Sequence, residues 1–511
     1  MILNGADTVL LVHAGSGYGG ALATAGGENL LAAFAEKIKT CAVPLFVSVH
    51  DQTLGEKITA VLPATSLPGT LSEIAAIRQI FTDNKIAHIA VVNGVFPLLD
   101  LRLTEKIAGI HREYRADISY GENLPAGMAP YFVSRDLLES LEIMEAKDAD
   151  VDTAGLRPFV EKNINQFHAE VHYEEPDLRL LRLDFSLATP RSATKAARFL
   201  AKLAHNNEPY AELEALIQSE PGLLHTFPSY IELEFSSTAE HVSFFSPLKY
   251  IAPQKHLLSD ENFSRVKDFI STGLGDTSVC ASGLGEPLEH PRAREYLEAL
   301  LNDGNIRYVF LETNGIHLDK ILGLAAHPAA GKLRVIVLLN SLERYAEYSG
   351  AAATGLEKIK LHFRKLTDAL RAAGKNPQEI VYLQSFKVEE NEAEIDALYA
   401  LAEELGGSFL FQKYNRYAGL MPERRVSDMT PLERYSCWHL RRDLFIRANG
   451  DVAFCKQTVD PAKKTARGNL ANDTLADLWS NQRADFVANY QGKYPSHLPC
   501  ADCDEYFTFN F

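Results

Sequence analysis

Four cysteines near the C-terminus, Cys437, Cys455, Cys500 and Cys503, are the residues of this chain best suited to holding a metal centre. The 511-residue sequence has six cysteines, and four of them fall in its last 75 positions, a clustering that packing does not demand. Thiolates ligate both zinc and iron-sulfur clusters, and each accepts four of them. Cys500 and Cys503 form a Cys-x-x-Cys pair, which can bind one centre from a single turn. Cys455 is expected at the end of a strand, because residues 444–447 and 452–455 flank an Asn449-Gly450 turn suited to a hairpin. That hairpin would return Cys455 toward Cys437. Zinc ribbons usually carry two Cys-x-x-Cys pairs, whereas here one pair joins two single cysteines with 17 and 44 residues between successive ligands. The spacing leaves zinc and a 4Fe-4S cluster both open.

Glycine-bearing turns mark other places where chemistry could sit. Gly15-Ser16-Gly17-Tyr18-Gly19-Gly20 follows an apolar run and has the G-x-G-x-x-G spacing of a phosphate loop. A dinucleotide fold wants an acidic residue about 20 positions further on, and Asp51 comes later than that. Gly285-Glu286-Pro287 and Thr313-Asn314-Gly315 each follow a β-rich run, and taken alone each reads as an ordinary loop.

The elements that must position these residues divide into an α/β series. At roughly 150 residues per domain the length suits about three domains, and 46% hydrophobic residues supply their cores. A net charge of -16 excludes nucleic acid as the main partner, since phosphate binding needs clustered Lys and Arg. No run of 18 apolar residues and no cationic-then-apolar leader is present, so a cytoplasmic protein without membrane contact is expected, with Cys41 and Cys280 as reduced core thiols. Residues 1–200 read as one α/β domain with strands at 9–12, 45–49 and 89–92 and helices at 29–39 and 71–83. Residues 201–227 read as a polar, largely helical linker broken by Pro209 and Pro221. In 228–430, strands at 230–235, 277–281, 308–311, 334–339, 379–385 and 408–412 alternate with helices near 260–271, 291–302, 317–326, 355–373 and 391–405. Six βα units in series predict a partial parallel barrel with its chemistry at the C-terminal strand ends. Residues 431–511 form the cysteine-bearing tail.

Three stretches resemble known families. Cys437-Trp438, the 446–455 hairpin, Gly468-Asn469-Leu470, residues 475–479 and the final Cys-x-x-Cys resemble the SPASM domain, the auxiliary-cluster module at the C-terminus of many radical SAM enzymes. The likeness is to its four-cysteine form, which implies one 4Fe-4S cluster held by Cys437, Cys455, Cys500 and Cys503. Gly285-Glu286-Pro287 looks like the "GEP" element of radical SAM proteins, whose loop receives the amino group of S-adenosylmethionine, and Thr313-Asn314-Gly315 looks like their "TNG" element. Those six residues are therefore the implied S-adenosylmethionine contacts. The family's C-x3-C-x2-C motif is missing: aligned on Pro247, its cysteine positions are Ala239, Ser243 and Ser246. Alanine cannot ligate iron and a serine hydroxyl is a poor substitute for thiolate. His241 in the same loop reads as structural.

The N-terminal region resembles nucleotidyltransferases of the cytidylyltransferase and spore-coat-polysaccharide type, with a GT-A or Rossmann-like fold. Gly15 and Gly17 fall at that family's nucleotide loop, and residues 93–100 resemble its "GD-x-P-L-x-D" segment. Pro125-Ala126-Gly127, Phe132-Val133-Ser134 and a strand at 181–184 follow in family order, with Asp184 at a second acidic position. Val95 occupies the metal-binding aspartate's place, and no Arg or Lys follows the glycine loop to neutralise a triphosphate. The whole resembles a spirochaete-type SPASM protein: a radical SAM/SPASM family member without the cysteine triad, fused to a nucleotidyltransferase-like domain. The expected role is an iron-sulfur binding or scaffold component in peptide or sugar-nucleotide modification, its partner a peptide, a sugar-nucleotide or an enzyme. The alternative is an active enzyme, either a maturase using the auxiliary cluster or a nucleotidyltransferase of polysaccharide biosynthesis.

Overall fold

Short β-branched runs with buried residues on both faces pair in parallel here, as strands covered by helices do. The structure, a computed structural model, describes residues 3, 7–15, 27–145, 155–204, 207–460, 465–496 and 498–507. It is α/β throughout and divides into two compact units, Met1–Thr226 and Phe227–Phe511. Among the described residues no helix is long and apolar enough to cross a membrane.

The first unit is built on β1 (Thr8–Ala14), β2 (Leu45–Val49), β3 (Thr65–Ser66), β4 (His88–Asn93), β5 (Ile118–Gly121), β6 (Tyr131–Ser134) and β7 (Ala169–His172). Their order is β3-β2-β1-β4-β6-β5-β7, with β6 antiparallel to both its neighbours and the other pairs parallel. Chain direction across the sheet reverses between β1 and β4, the place where open α/β sheets form a crevice. Asp51, Ser72 and Asp100 cap the helices that follow by accepting from the N–H groups of Leu54, Ala75 and Leu103. The segment read as a linker contributes the helix Tyr210–Ser219 to this unit, and buried Tyr210 donates its N–H to Asp100 Oδ2 at 3.0 Å. The stretch at 181–184 is not a strand: a 3-10 turn at Arg179–Leu181 and left-handed Arg182 (φ 47°) break it, leaving one bridge from Asp184 to Ala126. Left-handed backbone cannot continue a pleated ladder.

The second unit follows the expected alternation closely. Strands β8 (Tyr230–Glu234), β9 (Thr277–Ser282), β10 (Ile306–Thr313), β11 (Leu333–Leu338), β12 (Val381–Phe386) and β13 (Ser408–Gln412) lie side by side in that order, all parallel. Period-two alternation sorts their residues. Ile231, Leu233, Val279, Ala281, Val309, Leu311, Val335 and Val337 belong to the large apolar cluster shared with the helices. The opposite set begins with a small cluster of Tyr230, Cys280, Phe310 and Ile336 and becomes polar at the C-terminal ends, at Glu234, Ser282, Glu312 and Gln412. Cys280, like Cys41, is a fully buried thiol.

The tail extends this same sheet. Strand β14 (Asp443–Ile446) pairs in parallel with β8, and β15 (Asp451–Ala453) and β16 (Ala466–Asn469) continue antiparallel from it. Glu234 stitches the join: its carboxylate accepts the N–H of Leu284, after β9, at 2.8 Å and that of Ala448, after β14, at 3.0 Å. Replacing it leaves two buried donors unpaired, at about 1–3 kcal/mol each. Glu234→Ala is therefore expected to lower unfolding free energy by roughly 2–5 kcal/mol, read as a lower urea midpoint with an unchanged m-value, and Glu234→Gln, which keeps one acceptor, should lose less.

Candidate cluster and ligand sites

Each tail cysteine is positioned by a different element. Cys437 immediately precedes the helix Trp438–Arg442, and its N–H donates to Asn489 Oδ1 at 2.8 Å, on the helix Leu475–Tyr490. Cys455 ends the hairpin that the Asn449-Gly450 turn reverses, and its carbonyl accepts from the Thr458 hydroxyl at 2.8 Å. Cys500 lies in one turn, residues 499–502, and Cys503 directly follows it, its Sγ accepting the Glu505 N–H at 3.4 Å. The four thiols converge closely enough to act on one another. Burial pushes Cys500 and Cys503 up to about 12, and the negative charge of Cys455 adds to both. Cys437 and Cys455 are likewise raised by burial. Four thiols crowded together and removed from water stay protonated until a cation takes the charge, which is the donor chemistry a metal centre requires. Among the described residues, the group of three or more His, Cys, Asp or Glu ligand atoms lying within 4.8 Å of one another is Glu240, Glu289 and His317, at the strand ends.

At the C-terminal strand ends, the loops after β9 and β10 interlock through Glu286. Its carboxylate accepts from Thr313 Oγ1 at 2.6 Å, Asn314 N at 2.7 Å and Leu288 N at 3.1 Å. Gly285 has no room for a side chain, since a Cβ would lie 2.3 Å from Ser236 O and 2.4 Å from Thr238 O. Gly315 adopts φ 82°, where glycine is favoured. Pro287 is buried and opens a short turn. Gly285-Glu286-Pro287 and Thr313-Asn314-Gly315 are thus brought together, with Glu286 already saturated by internal donors.

These loops border a cavity of about 170 Å³. Ala239, Ser243 and Ser246 line it together with His241, Glu286, Glu312 and Lys456. Ser243 Oγ donates to Tyr348 O at 3.0 Å and accepts from Phe245 N at 3.2 Å, while Ser246 Oγ accepts from Leu248 N at 3.2 Å and so caps the turn Pro247–Lys249. Phe245 between them packs with Tyr348, Phe386 and Tyr414. Both hydroxyls thus serve the loop's own backbone. Lys456, one residue past Cys455, reaches Glu232 at 2.8 Å and Glu312 at 3.7 Å. Burial opposes its charge, but those two carboxylates outweigh it and hold Lys456 above the ordinary lysine range.

Four carboxamides complete the lining, and three of them are oriented by backbone donors. Asn314, Asn340 and Asn415 turn their side-chain oxygens to the N–H groups of Ile316 (3.0 Å), Phe386 (2.9 Å) and Tyr417 (2.7 Å), while Gln412 pairs with the Gln384 amide. A backbone N–H can only donate, so in the three asparagines the oxygen is committed and the NH₂ is the group left to meet a ligand. Sequence reasoning missed Asn340, Gln412, Asn415, Glu312 and Lys456. The signal for Glu312 was an acid on the strand face otherwise occupied by Tyr308 and Phe310.

In the first unit, no described residue lies within 4 Å of a Cβ built on Gly15, and Gly17 lies outside the described residues. Val95 is buried, Asp100 spends its carboxylate on the N–H groups of Leu103 and Tyr210, and Asp184 accepts from Ser186 N and Oγ.

Residues 437–504 match the SPASM family, an iron-sulfur cluster-binding domain. A protein of Treponema pallidum described as uncharacterized is 28% identical over 365 residues, which span 69% of this chain and 97% of that one. Among solved structures, Streptococcus suis SuiB bound to its precursor peptide SuiA is 12% identical, covering 73% of this chain and 84% of that one at a TM-score of 0.43. A cytidylyltransferase from Leptospira borgpetersenii is 17% identical, covering 42% of this chain and 96% of that one at a TM-score of 0.37. Neither structural likeness is close enough to assign an activity.

Burial pushes the Glu286 carboxyl from 4.5 up to about 7, its three hydrogen bonds only partly opposing this. A carboxyl whose folded value exceeds its unfolded one stabilises the fold at low pH, and that contribution disappears as pH rises from about 4.5 to 7. A 2.5-unit rise corresponds to about 3 kcal/mol. Glu286→Gln should shrink the difference in unfolding free energy between pH 5 and pH 8 by roughly 2–3 kcal/mol, measured by denaturant titration at both values.

Proposed function

We propose that this chain is an iron-sulfur protein whose Cys437, Cys455, Cys500 and Cys503 hold one 4Fe-4S cluster, and whose barrel binds a ligand without generating a radical of its own. The match of residues 437–504 to a cluster-binding domain and the convergence of four partly buried thiols support the first half. When bound, such a cluster supplies one-electron transfer or an open coordination position. The chain's own part is to hold four thiols together in a water-poor setting.

The second half rests on one observation, the 239–247 loop. With alanine and two backbone-bonded serines where a cluster loop needs three thiolates, the loop offers no thiolate to anchor a cluster beside a sulfonium. The cavity beside it nevertheless stays open and edged with NH₂ donors, while Lys456 is neutralised by Glu232 and Glu312. Such a lining suits an uncharged, acceptor-rich ligand, such as a peptide main chain or the sugar of a sugar-nucleotide, better than an anion. Gly285, Glu286, Pro287, Thr313, Asn314 and Gly315 would shape one wall of that site, and S-adenosylmethionine would bind weakly at most. The first unit would bind a sugar-nucleotide or serve as scaffold through Gly15 and Gly17, because at the aligned positions Val95 has no carboxylate and the Asp100 carboxylate is committed to backbone N–H groups, which leaves no Mg²⁺-binding pair there. Buried free thiols at Cys41 and Cys280 fit a reducing, cytoplasmic setting.

Under anaerobic conditions with dithionite and S-adenosylmethionine, the full chain should form no 5′-deoxyadenosine above background, and formation dependent on Cys437 would overturn the proposal. Restoring cysteines at Ala239, Ser243 and Ser246 should allow a second cluster to assemble, visible as added iron and sulfide. The full chain should likewise release no magnesium-dependent pyrophosphate from nucleoside triphosphates and sugar phosphates, and turnover above a Gly15→Glu control would make the transferase reading the better one.

A further inference from the structure

Arg434 lies three residues ahead of Cys437, outside the segment that matches the cluster-binding domain. Although exposed, it is heavily engaged. One guanidinium nitrogen donates to both Ala501 O and Cys503 O at 3.0 Å, and the other donates to Cys500 O. Among the described residues these three carbonyls take no backbone donor. The guanidinium is flanked by two aromatic rings, 4.5 Å from Tyr506 and 5.0 Å from Tyr494, and Tyr506 O in turn accepts the Trp438 N–H beside Cys437 at 2.9 Å. Two further cations hold the chain just beyond the Cys-x-x-Cys pair: Lys413 meets Glu505 at 2.9 Å, and Arg425 meets Asp504 at 2.8 Å.

The geometry points to Arg434 as a positioning residue that clamps the Cys500–Cys503 turn and sets both the retention and the reduction potential of the tail cluster. This rests on the iron-sulfur reading of the tail. A planar fork that satisfies three carbonyls of one turn fixes that turn's backbone, and with it the directions of both thiols, before any metal arrives. It also fixes the Glu505 N–H that donates to Cys503 Sγ at 3.4 Å, and hydrogen bonds to ligand sulfurs are one of the levers on a cluster's potential. A permanent positive charge beside a cluster with four thiolates favours its reduced, more negative state, so Arg434 raises the potential. Partners of this kind typically change metal retention by about 10–100-fold when removed.

The test uses the full chain reconstituted anaerobically with iron and sulfide, as wild type, Arg434→Ala and Arg434→Lys. Two quantities are read: the rate of iron transfer to a chelator, and the midpoint potential by spectroscopic redox titration. Arg434→Ala should release iron at least about tenfold faster and titrate at a more negative potential. Arg434→Lys keeps the charge but loses the fork, so its potential should stay near wild type while its iron release approaches that of the alanine variant. Wild-type release and potential in both variants would overturn the clamp, and so would a lower melting temperature with neither quantity changed. If the wild-type chain holds no iron and sulfide, the cluster reading itself has failed, an outcome separate from a loaded protein that is indifferent to Arg434. A folded alanine variant that cannot load, with the lysine variant loading but leaking, supports the proposal.

Discussion

Two buried carboxylates on strand β8 hold the second unit together. Glu234 accepts the N–H groups of Leu284 and Ala448, and Glu232 pairs with Lys456. Burying acids on an inward strand face costs free energy unless every one is matched by a donor or a cation. Here the donors come from both sides, Leu284 from the barrel and Ala448 and Lys456 from the tail. The barrel's first strand is therefore complete only when the tail hairpin lies beside it, and β14 supplies the ladder partner that β8 would otherwise lack. Tail and barrel are a single folded object in this unit, which is why the Cys455 hairpin has a fixed place.

That dependence shapes the cavity. Lys456 stands between Cys455 and the strand ends, so the same short turn that aims a thiol also places a cation beneath the 239–247 loop. The loop is closed by its own hydroxyls and by Phe245, and the amides around it have their oxygens turned inward. The cavity is lined by apolar side chains such as Phe245, Leu339 and Phe386, by carboxamides, and by Lys456 paired with Glu312. A sulfonium cofactor held by iron asks for a different surface, which is the physical reason for reading this barrel as a binder.

Much of this was legible in the sequence. The six strands of the second unit and the longer helices between them follow from hydrophobic period and length and lie within a few residues of the expected bounds, whereas the short helix Tyr345–Ser349 was not foreseen and 318–326 is wound as a 3-10 helix. The Asn449-Gly450 turn specified its hairpin because few other dipeptides tolerate that backbone, and Gly450 indeed has φ 86°. The parallel pairing of β14 with β8 was not legible, since it joins segments some 200 residues apart and no local propensity encodes it. Nothing local in the sequence singles out Lys456, because its partners Glu232 and Glu312 lie on β8 and β10. The 181–184 stretch had the composition of a strand, yet Arg182 turned left-handed and ended it. Amide orientation was likewise out of reach, for it depends on which backbone N–H each oxygen finds.

On the proposal above, the chain holds one cluster, in the tail, and none in the barrel loop. Counting iron and acid-labile sulfide on anaerobically prepared protein measures this directly. About four of each per chain are expected, with the chromophore lost in Cys500→Ala. Roughly eight iron per chain, or one tightly bound zinc without sulfide, would contradict it.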